Sequence, residues 1–496
     1  MFEAVELGQT LDKAEFKQQE HELRGTLLEL QRELAEAKVP VIIIVAGLGG
    51  AGKGNVVDRF NKWLDSRGLQ THAFWDETDE ELERPDHWRF WKRLPARGTI
   101  SVMFNGWYGN ALGQHIRGEL SKTELDEETL RINQLERMLT RDGTLIIKLW
   151  FHLSFEAHSR RIKKRQKSKH RVPGLEGHLY TREEYDQMLA TAERLLRKTE
   201  SGACPWQMIE SDDKWFRDMA AGKSLQAVMQ MSLRELKSSG NITCKELEAP
   251  PLSLDFPVRT VLDKVDLDVA LEREDYKKKL CHYQKKLHDL SWKAYLSHRS
   301  IVLVFEGWDA AGKGGAIRRL LSAMDARLYR VISVAAPTDE ELNHHYLWRF
   351  WRQVPRAGYM TLYDRSWYGR VLVERVEGFA QSSEWMWAYK EINNFEEQLT
   401  EHGTMVLKFW LHISPEEQLR RFHDREKTPW KQHKITEEDW RNREKWDDYK
   451  SAVNDMIAHT STQNAPWVLI PANDKLFARV EILKTVCQRL KKSLEL

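Results

Sequence analysis

The sequence predicts an α/β protein built from two fused copies of one domain, each with a parallel sheet flanked by helices. Three observations carry this. Residues 41–162 align on 301–422 without a gap at a constant offset of 260, with 39 identities in 122 positions. Short aliphatic runs alternate with charged amphipathic segments in each copy, the pattern of strands joined by helical crossovers. A glycine-rich string follows the first aliphatic run of each copy, Gly47 to Gly54 and Gly307 to Gly314. A repeat this long describes two globular domains rather than a solenoid.

Each copy opens with a segment predicted as helix, 11–38 and about 270–298. The strand Val41–Val45 follows in the first copy and Ile301–Phe305 in the second. These runs are apolar without alternation, as expected of strands buried on both faces of a parallel sheet. Further strands are predicted at 331–335, 359–363 and 404–411, each with a counterpart 260 residues earlier, and at 467–470. Pro205-Trp206 and Asp213-Lys214 match Pro466-Trp467 and Asp474-Lys475 at offset 261, so one residue is inserted between. Thr78-x-x-Glu81 and Thr338-x-x-Glu341 fit capping boxes ahead of a shared Trp-Arg-Phe-Trp run. The expected domains are 1–240 and 266–496, with a linker over 241–265 that is rich in turn formers as far as Pro251.

Composition narrows the function. With 496 residues, 41% hydrophobic and 31% charged, the chain can bury two large cores and is globular. The longest aliphatic run, Val41–Ala46, falls far short of a membrane span, so no membrane partner is expected. Met1–Glu6 carries no basic leader, and the four cysteines form no C-x-x-C pair. Both features favour a reducing cytoplasm over secretion or a structural zinc site. Lys+Arg 77 against Asp+Glu 75 leaves only +2, which excludes a general nucleic-acid coat; a polyanion must be held by local clusters. The sequence leaves homo-oligomer formation open.

The chemistry sits in the glycine-rich strings. Gly307-Trp308-Asp309-Ala310-Ala311-Gly312-Lys313-Gly314 fits G-x-x-x-x-G-K, with Gly314 where Ser or Thr is usual. Such a loop turns backbone N–H groups toward phosphate oxygens, while the lysine adds a point charge and the next helix its positive dipole end. Gly307, Gly312, Lys313 and Gly314 are the candidate phosphate-binding residues. Gly314 lacks the hydroxyl that ordinarily ligates magnesium, so Asp309 and Asp364 are the candidate carboxylate ligands in its place. Asp364 closes the strand Met360–Tyr363. Arg365 and Arg370 follow it, where guanidinium groups suit a transferring phosphoryl. The plainer alternatives are a turn cap for Asp364 and surface ion pairs for the arginines.

Together with Asp364-Arg365-Ser366-Trp367-Tyr368, Ala465-Pro466-Trp467 and Asp474-Lys475, these strings resemble the polyphosphate kinase 2 family over nearly the whole chain, twice. The two-copy layout is similar to the subgroup that transfers a phosphoryl group from inorganic polyphosphate to AMP, giving ADP. The resemblance implies a P-loop kinase fold like that of thymidylate kinase, with Mg²⁺ on Asp309 and Asp364. It further implies Lys313, Arg365 and Arg370 on phosphates, and a helical lid with Arg421, Arg425 and Lys431 at its basic positions. The substrates come from the resemblance alone. Rival expectations are an ADP-phosphorylating relative, an ATP-dependent nucleotide kinase, and a non-catalytic polyphosphate- or nucleotide-binding scaffold.

The two copies differ at the site. Asp309 corresponds to Gly49, Asp364 to Phe104, Arg365 to Asn105, Ser366 to Gly106 and Arg370 to Asn110, while Gly47, Gly52 and Lys53 persist. The N-terminal copy is therefore expected to be catalytically inactive, with chemistry confined to the C-terminal copy. Residues 160–171 of the N-terminal copy hold eight Lys/Arg, one His and no acid. Such a run is usually a solvated face. Beside a phosphate loop it is also a candidate passive guide for polyphosphate.

Overall fold

The computed structural model describes residues 2–74, 76–167, 178–239, 260–429, 432 and 435–495. It divides into two compact units. The first comprises 1–77, 89–246 and 339–345; the second comprises 78–88, 247–338 and 346–496. Most of the expected linker, and Lys431 of the expected lid, lie outside the described residues.

In the first unit, β1 (Val41–Gly47), β2 (Leu69–Ala73), β3 (Ile100–Phe104), β4 (Leu145–His152) and β5 (Trp206–Glu210) form a sheet in the order β2-β3-β1-β4-β5. All its pairings are parallel. In the second unit, β6 (Ile301–Gly307), β7 (Tyr329–Ser333), β8 (Met360–Asp364), β9 (Met405–His412) and β10 (Trp467–Pro471) repeat that order as β7-β8-β6-β9-β10, again all parallel. The predicted fold class is the observed one. Both β1 and β6 are central strands whose aliphatic residues are buried on both faces. That is why they show no polar alternation.

Helices cover the sheets and carry the crossovers that parallel pairing demands. In the second unit the helices Arg273–Leu296 and Lys475–Leu494 pack together. The helices Lys13–Glu36 and Lys214–Ser239 do the same in the first. Thr78 forms the expected capping box, its Oγ1 accepting from the Glu81 N–H at 3.3 Å while the Glu81 carboxylate accepts from the Thr78 N–H at 3.0 Å. Among the described residues, no helix is long and apolar enough to cross a membrane.

Each unit also holds a buried polar network that has its counterpart in the other. Lys408 Nζ on β9 donates to Glu396 at 2.7 Å, to the Tyr368 hydroxyl at 2.8 Å and to the Thr460 carbonyl at 2.7 Å. Lys148, Glu136, Tyr108 and Thr199 repeat it in the first unit. An ion pair at this depth is tolerable only because its remaining donors and acceptors are satisfied. The network anchors the Trp367-Tyr368 segment that follows Asp364.

Candidate active site

The site lies at the carboxyl ends of β6 and β8, where ligands bind in open α/β sheets. β6 ends in Gly307, where a Cβ would stand 2.5 Å from the Leu411 carbonyl oxygen, so only glycine lets the loop leave between β6 and β9. Gly312, at φ 113°, opens the helix Lys313–Leu321. Lys313 folds back over the loop, its Nζ donating to the carbonyls of Gly307 at 2.6 Å and Trp308 at 3.2 Å. The loop, its lysine and the helix N-terminus thus meet at one place, the arrangement that a phosphate cradle requires.

Two carboxylates border it. Asp309 Oδ1 accepts from Arg365 Nη2 at 3.3 Å, and Oδ2 from Asn442 Nδ2 at 2.9 Å. Burial pushes the Asp309 carboxyl upward, but the charges of Lys313 and Arg365 and hydrogen bonds from Asn442 and Arg365 outweigh it, leaving it below its usual range. Asp364 ends β8, and its Oδ2 lies 3.7 Å from where a Gly314 Cβ would sit. Gly314 therefore leaves the floor of the cradle open beneath an acid. Among the described residues, no group of three or more His, Cys, Asp or Glu gathers as a ligand set. Two acids beside a phosphate cradle fit Mg²⁺, which takes one or two protein carboxylates and completes its shell with phosphate oxygens and water.

The arginines divide by role. Arg365 holds a left-handed backbone (φ 63°) and keeps half its side chain exposed while pairing with Asp309. Arg370 is paired with Glu374 at 2.8 Å and Glu384 at 3.1 Å, beside the Tyr346 ring. Arg421 lies behind the cradle. Its Nη1 donates to the carbonyls of Ala310 and Ala311, both at 2.9 Å, and its Nη2 to those of Ala472 at 2.6 Å and Asn473 at 2.8 Å. Its guanidinium is thus committed to the loop backbone and does not face the phosphate side. Arg161 does the same in the first unit, on Gly50, Ser211 and Asp212. Arg425 is half-buried in the last turn of the helix Pro415–Glu426.

Several contributors escape the sequence-based expectations. Gln418 donates to the Asp309 carbonyl at 3.2 Å and is itself held by Arg443 at 3.1 Å. Trp308 stacks on Trp446, with centroids 3.7 Å apart and planes at 9°, and donates to His412 Nδ1 at 3.0 Å. Burial, helped by the charge of Lys450, brings His412 down to about 4, so its neutral ring accepts that bond. Asn442 and Trp446 come from the helices Glu437–Glu444 and Trp446–Thr460. Nothing in their local sequence signals the contact. Glu306, the penultimate residue of β6, is buried and accepts from Ser366 Oγ at 2.8 Å. It had one signal: its counterpart is Ala46, another difference between the copies.

In the first unit the cradle survives without its acids. Lys53 donates to the carbonyls of Gly47 and Leu48. The Phe104 ring takes the register position of Asp364.

Comparison with known proteins agrees with this geometry. The family model described as Polyphosphate kinase 2 matches residues 10–237 and again 270–495. A polyphosphate:AMP phosphotransferase of Pseudomonas aeruginosa is 44% identical over 488 residues, covering 98% of each chain. Its namesake in Acinetobacter johnsonii is 37% identical over 95% of this chain and 96% of its own. A crystal structure of a Pseudomonas aeruginosa protein described as a polyphosphate kinase 2 superimposes with a TM-score of 0.87 at 42% identity, covering 100% of this chain and 99% of that one. Two matched domains, near-complete coverage and a shared fold make this chain a member of the polyphosphate kinase 2 family.

Proposed function

We propose that the chain is a polyphosphate:AMP phosphotransferase whose chemistry resides in the second unit. The observation that carries this is the acid-bordered cradle, Asp309 with Arg365 and Asp364 beside Gly314, which only one of the two copies possesses. Relatives that bear this activity in their names match the chain end to end.

In the mechanism, an oxygen of the AMP phosphate attacks the terminal phosphorus of the polyphosphate chain. The bond from that phosphorus to its bridging oxygen breaks, giving ADP and a chain one residue shorter. The attacking phosphate is already ionised near pH 7, so no side chain need remove a proton. Lys313 and the loop N–H groups hold the donor phosphates, and Arg365 with Arg370 offset charge on the transferred group in line between nucleophile and leaving oxygen. Asp309 and Asp364 would hold Mg²⁺, which when bound neutralises charge on phosphate oxygens. Lys313, Arg365 and Asn442 keep the Asp309 carboxylate ionised and oriented for that task.

The first unit, without these acids, acts as an inactive partner domain, and its basic segment beyond β4 guides the polyanion. The unpaired Cys204, Cys281 and Cys487 suit a cytoplasmic setting. Incubating AMP, Mg²⁺ and long-chain polyphosphate with the protein, ATP excluded, tests the reading. Accumulating ADP supports it; ATP arising only from added ADP, or no transfer at all, overturns it.

A further inference from the structure

The duplication provides an internal control. Features present in both units are what the fold needs, such as the Lys408–Glu396–Tyr368 network with its counterpart and the Arg421 clamp with its counterpart. The Glu306–Ser366 pair does not recur, because Ala46 and Gly106 stand at those positions.

The pair is buried, and Ser366 Oγ does two things there. It donates to Glu306 Oε1 at 2.8 Å and accepts from the Tyr368 N–H at 3.3 Å. The backbone leading to it forms equally well without it. Phe305 pairs with Asp364 as Val45 pairs with Phe104, and the next residue is left-handed in both units, Arg365 at φ 63° and Asn105 at φ 64°. The difference begins at the following residue, where Ser366 is extended (φ −156°) and Gly106 is left-handed (φ 50°). After Ser366 the chain makes a 3-10 turn, Trp367–Val371, breaks at Leu372 (φ −109°, ψ −94°) and starts a separate helix, Val373–Val376. After Gly106 it runs as a single α-helix, Tyr108–Ile116. Arg370 belongs to the 3-10 turn; its counterpart Asn110 belongs to the α-helix.

We propose that Glu306 and Ser366 act as one positioning unit that holds the Trp367–Val371 turn and thereby aims Arg365 and Arg370 at the transferring phosphoryl group. This rests on the phosphotransferase reading above. A hydroxyl whose hydrogen is committed to a carboxylate has its lone pairs left for the Tyr368 N–H, so the turn is capped in one fixed direction. Buried away from competing water, that hydrogen bond holds the turn more firmly than an exposed one would. Burial, with the charge of Asp364, holds the Glu306 carboxyl above its usual range, against the opposing pull of Lys313, the Ser366 hydrogen bond and Arg365. A fold that closes without this acid in the first unit has no need of it, whereas a turn carrying two working arginines does.

The test is steady-state ADP formation from AMP and polyphosphate by the full chain, comparing wild type with Ser366→Ala, Ser366→Gly, Ser366→Thr, Glu306→Gln, Glu306→Ala and the double alanine variant. Loss of this buried hydrogen bond predicts a kcat about tenfold lower or worse in Ser366→Ala, Ser366→Gly and Glu306→Ala, with KM for AMP within about twofold. Ser366→Thr, which keeps the hydroxyl, restores most of the rate. Glu306→Gln, which keeps an acceptor oxygen, stays above Glu306→Ala. The double variant is no slower than the worse single one, as expected of two residues acting together. Wild-type kcat in folded Ser366→Ala and Glu306→Ala, or losses that multiply in the double variant, overturns the proposal. Should Glu306→Ala fail to fold, Ser366→Ala, Ser366→Gly and Glu306→Gln decide it on the same criteria. A folded wild-type protein inactive with AMP and polyphosphate overturns the phosphotransferase reading itself, and this inference with it.

Discussion

The Phe104 ring lies 5.5 Å from the Lys53 ammonium, at the register position that Asp364 holds in the other unit. Burial, with the nearby charge of Arg165, lowers Lys53 to about 8. The unfolded chain returns this lysine to its ordinary value of 10.5, so between those limits the unfolded state binds more protons than the folded one. The unfolding free energy should therefore rise with pH across that window, as the penalty of a buried ammonium is lifted. Denaturant titrations at about pH 7 and about pH 10 check this: wild type should gain stability relative to Lys53→Met as pH rises. A pH-independent difference between the two would contradict the assignment.

Asp309 is held by groups from three segments: Lys313 of its own loop, Arg365 beyond β8, and Asn442 of a later helix. Asp309→Asn keeps the size and most of the hydrogen-bonding surface while removing the charge. A kcat lower by about a thousandfold is expected, with a higher Mg²⁺ concentration at half-maximal rate and an unchanged circular dichroism spectrum. Rate against Mg²⁺ concentration measures both effects together.

Arg421 and Arg161 offer a matched pair. Each clamps the back of a glycine loop through backbone carbonyls, so alanine at either position leaves several buried acceptors unsatisfied. A loss of about 3 kcal/mol is expected for each, read as a lower thermal midpoint. Under the proposed division of labour, only Arg421→Ala should also lower kcat. Equal loss of activity in Arg161→Ala at a temperature where it is folded would show that the first loop takes part in catalysis.

Lys408→Met would strand the Glu396 carboxylate in the core, where burial already pushes it up and Lys408 is the first force holding it down. Breaking such a pair costs about 3–5 kcal/mol. The same substitution at Lys148 should destabilise to a similar degree, because both networks are structural. Thermal unfolding of the two variants tests the equivalence, and a stable Lys408→Met protein would contradict it.

Much of this molecule is legible in its sequence because both copies obey the same local rules. Central strands such as Ile301–Gly307 announce themselves as unbroken aliphatic runs. The edge strands are less clear: Tyr329–Ser333 starts two residues before the expected 331–335, since its half-exposed side chains blur the apolar pattern. Gly307, Asp309, Gly312 and Lys313 were visible as a motif because they share one short loop, and Asp364 because it closes an aliphatic strand. Glu306 hid behind the aliphatic run that precedes it. Arg421 was expected at a basic position of a lid, and only the tertiary fold, which brings Ala310 and Ala472 to it, shows a clamp. Asn442 and Trp446 reach the loop from more than a hundred residues away, a proximity that no local pattern encodes.

The most direct test of the division of labour is ADP formation from AMP, Mg²⁺ and polyphosphate by two single variants of the full chain, Asp364→Asn and Lys53→Ala. The account predicts that Asp364→Asn is folded but inactive, while Lys53→Ala turns over at the wild-type kcat. Retained turnover in Asp364→Asn, or loss of turnover in a folded Lys53→Ala protein, would contradict it.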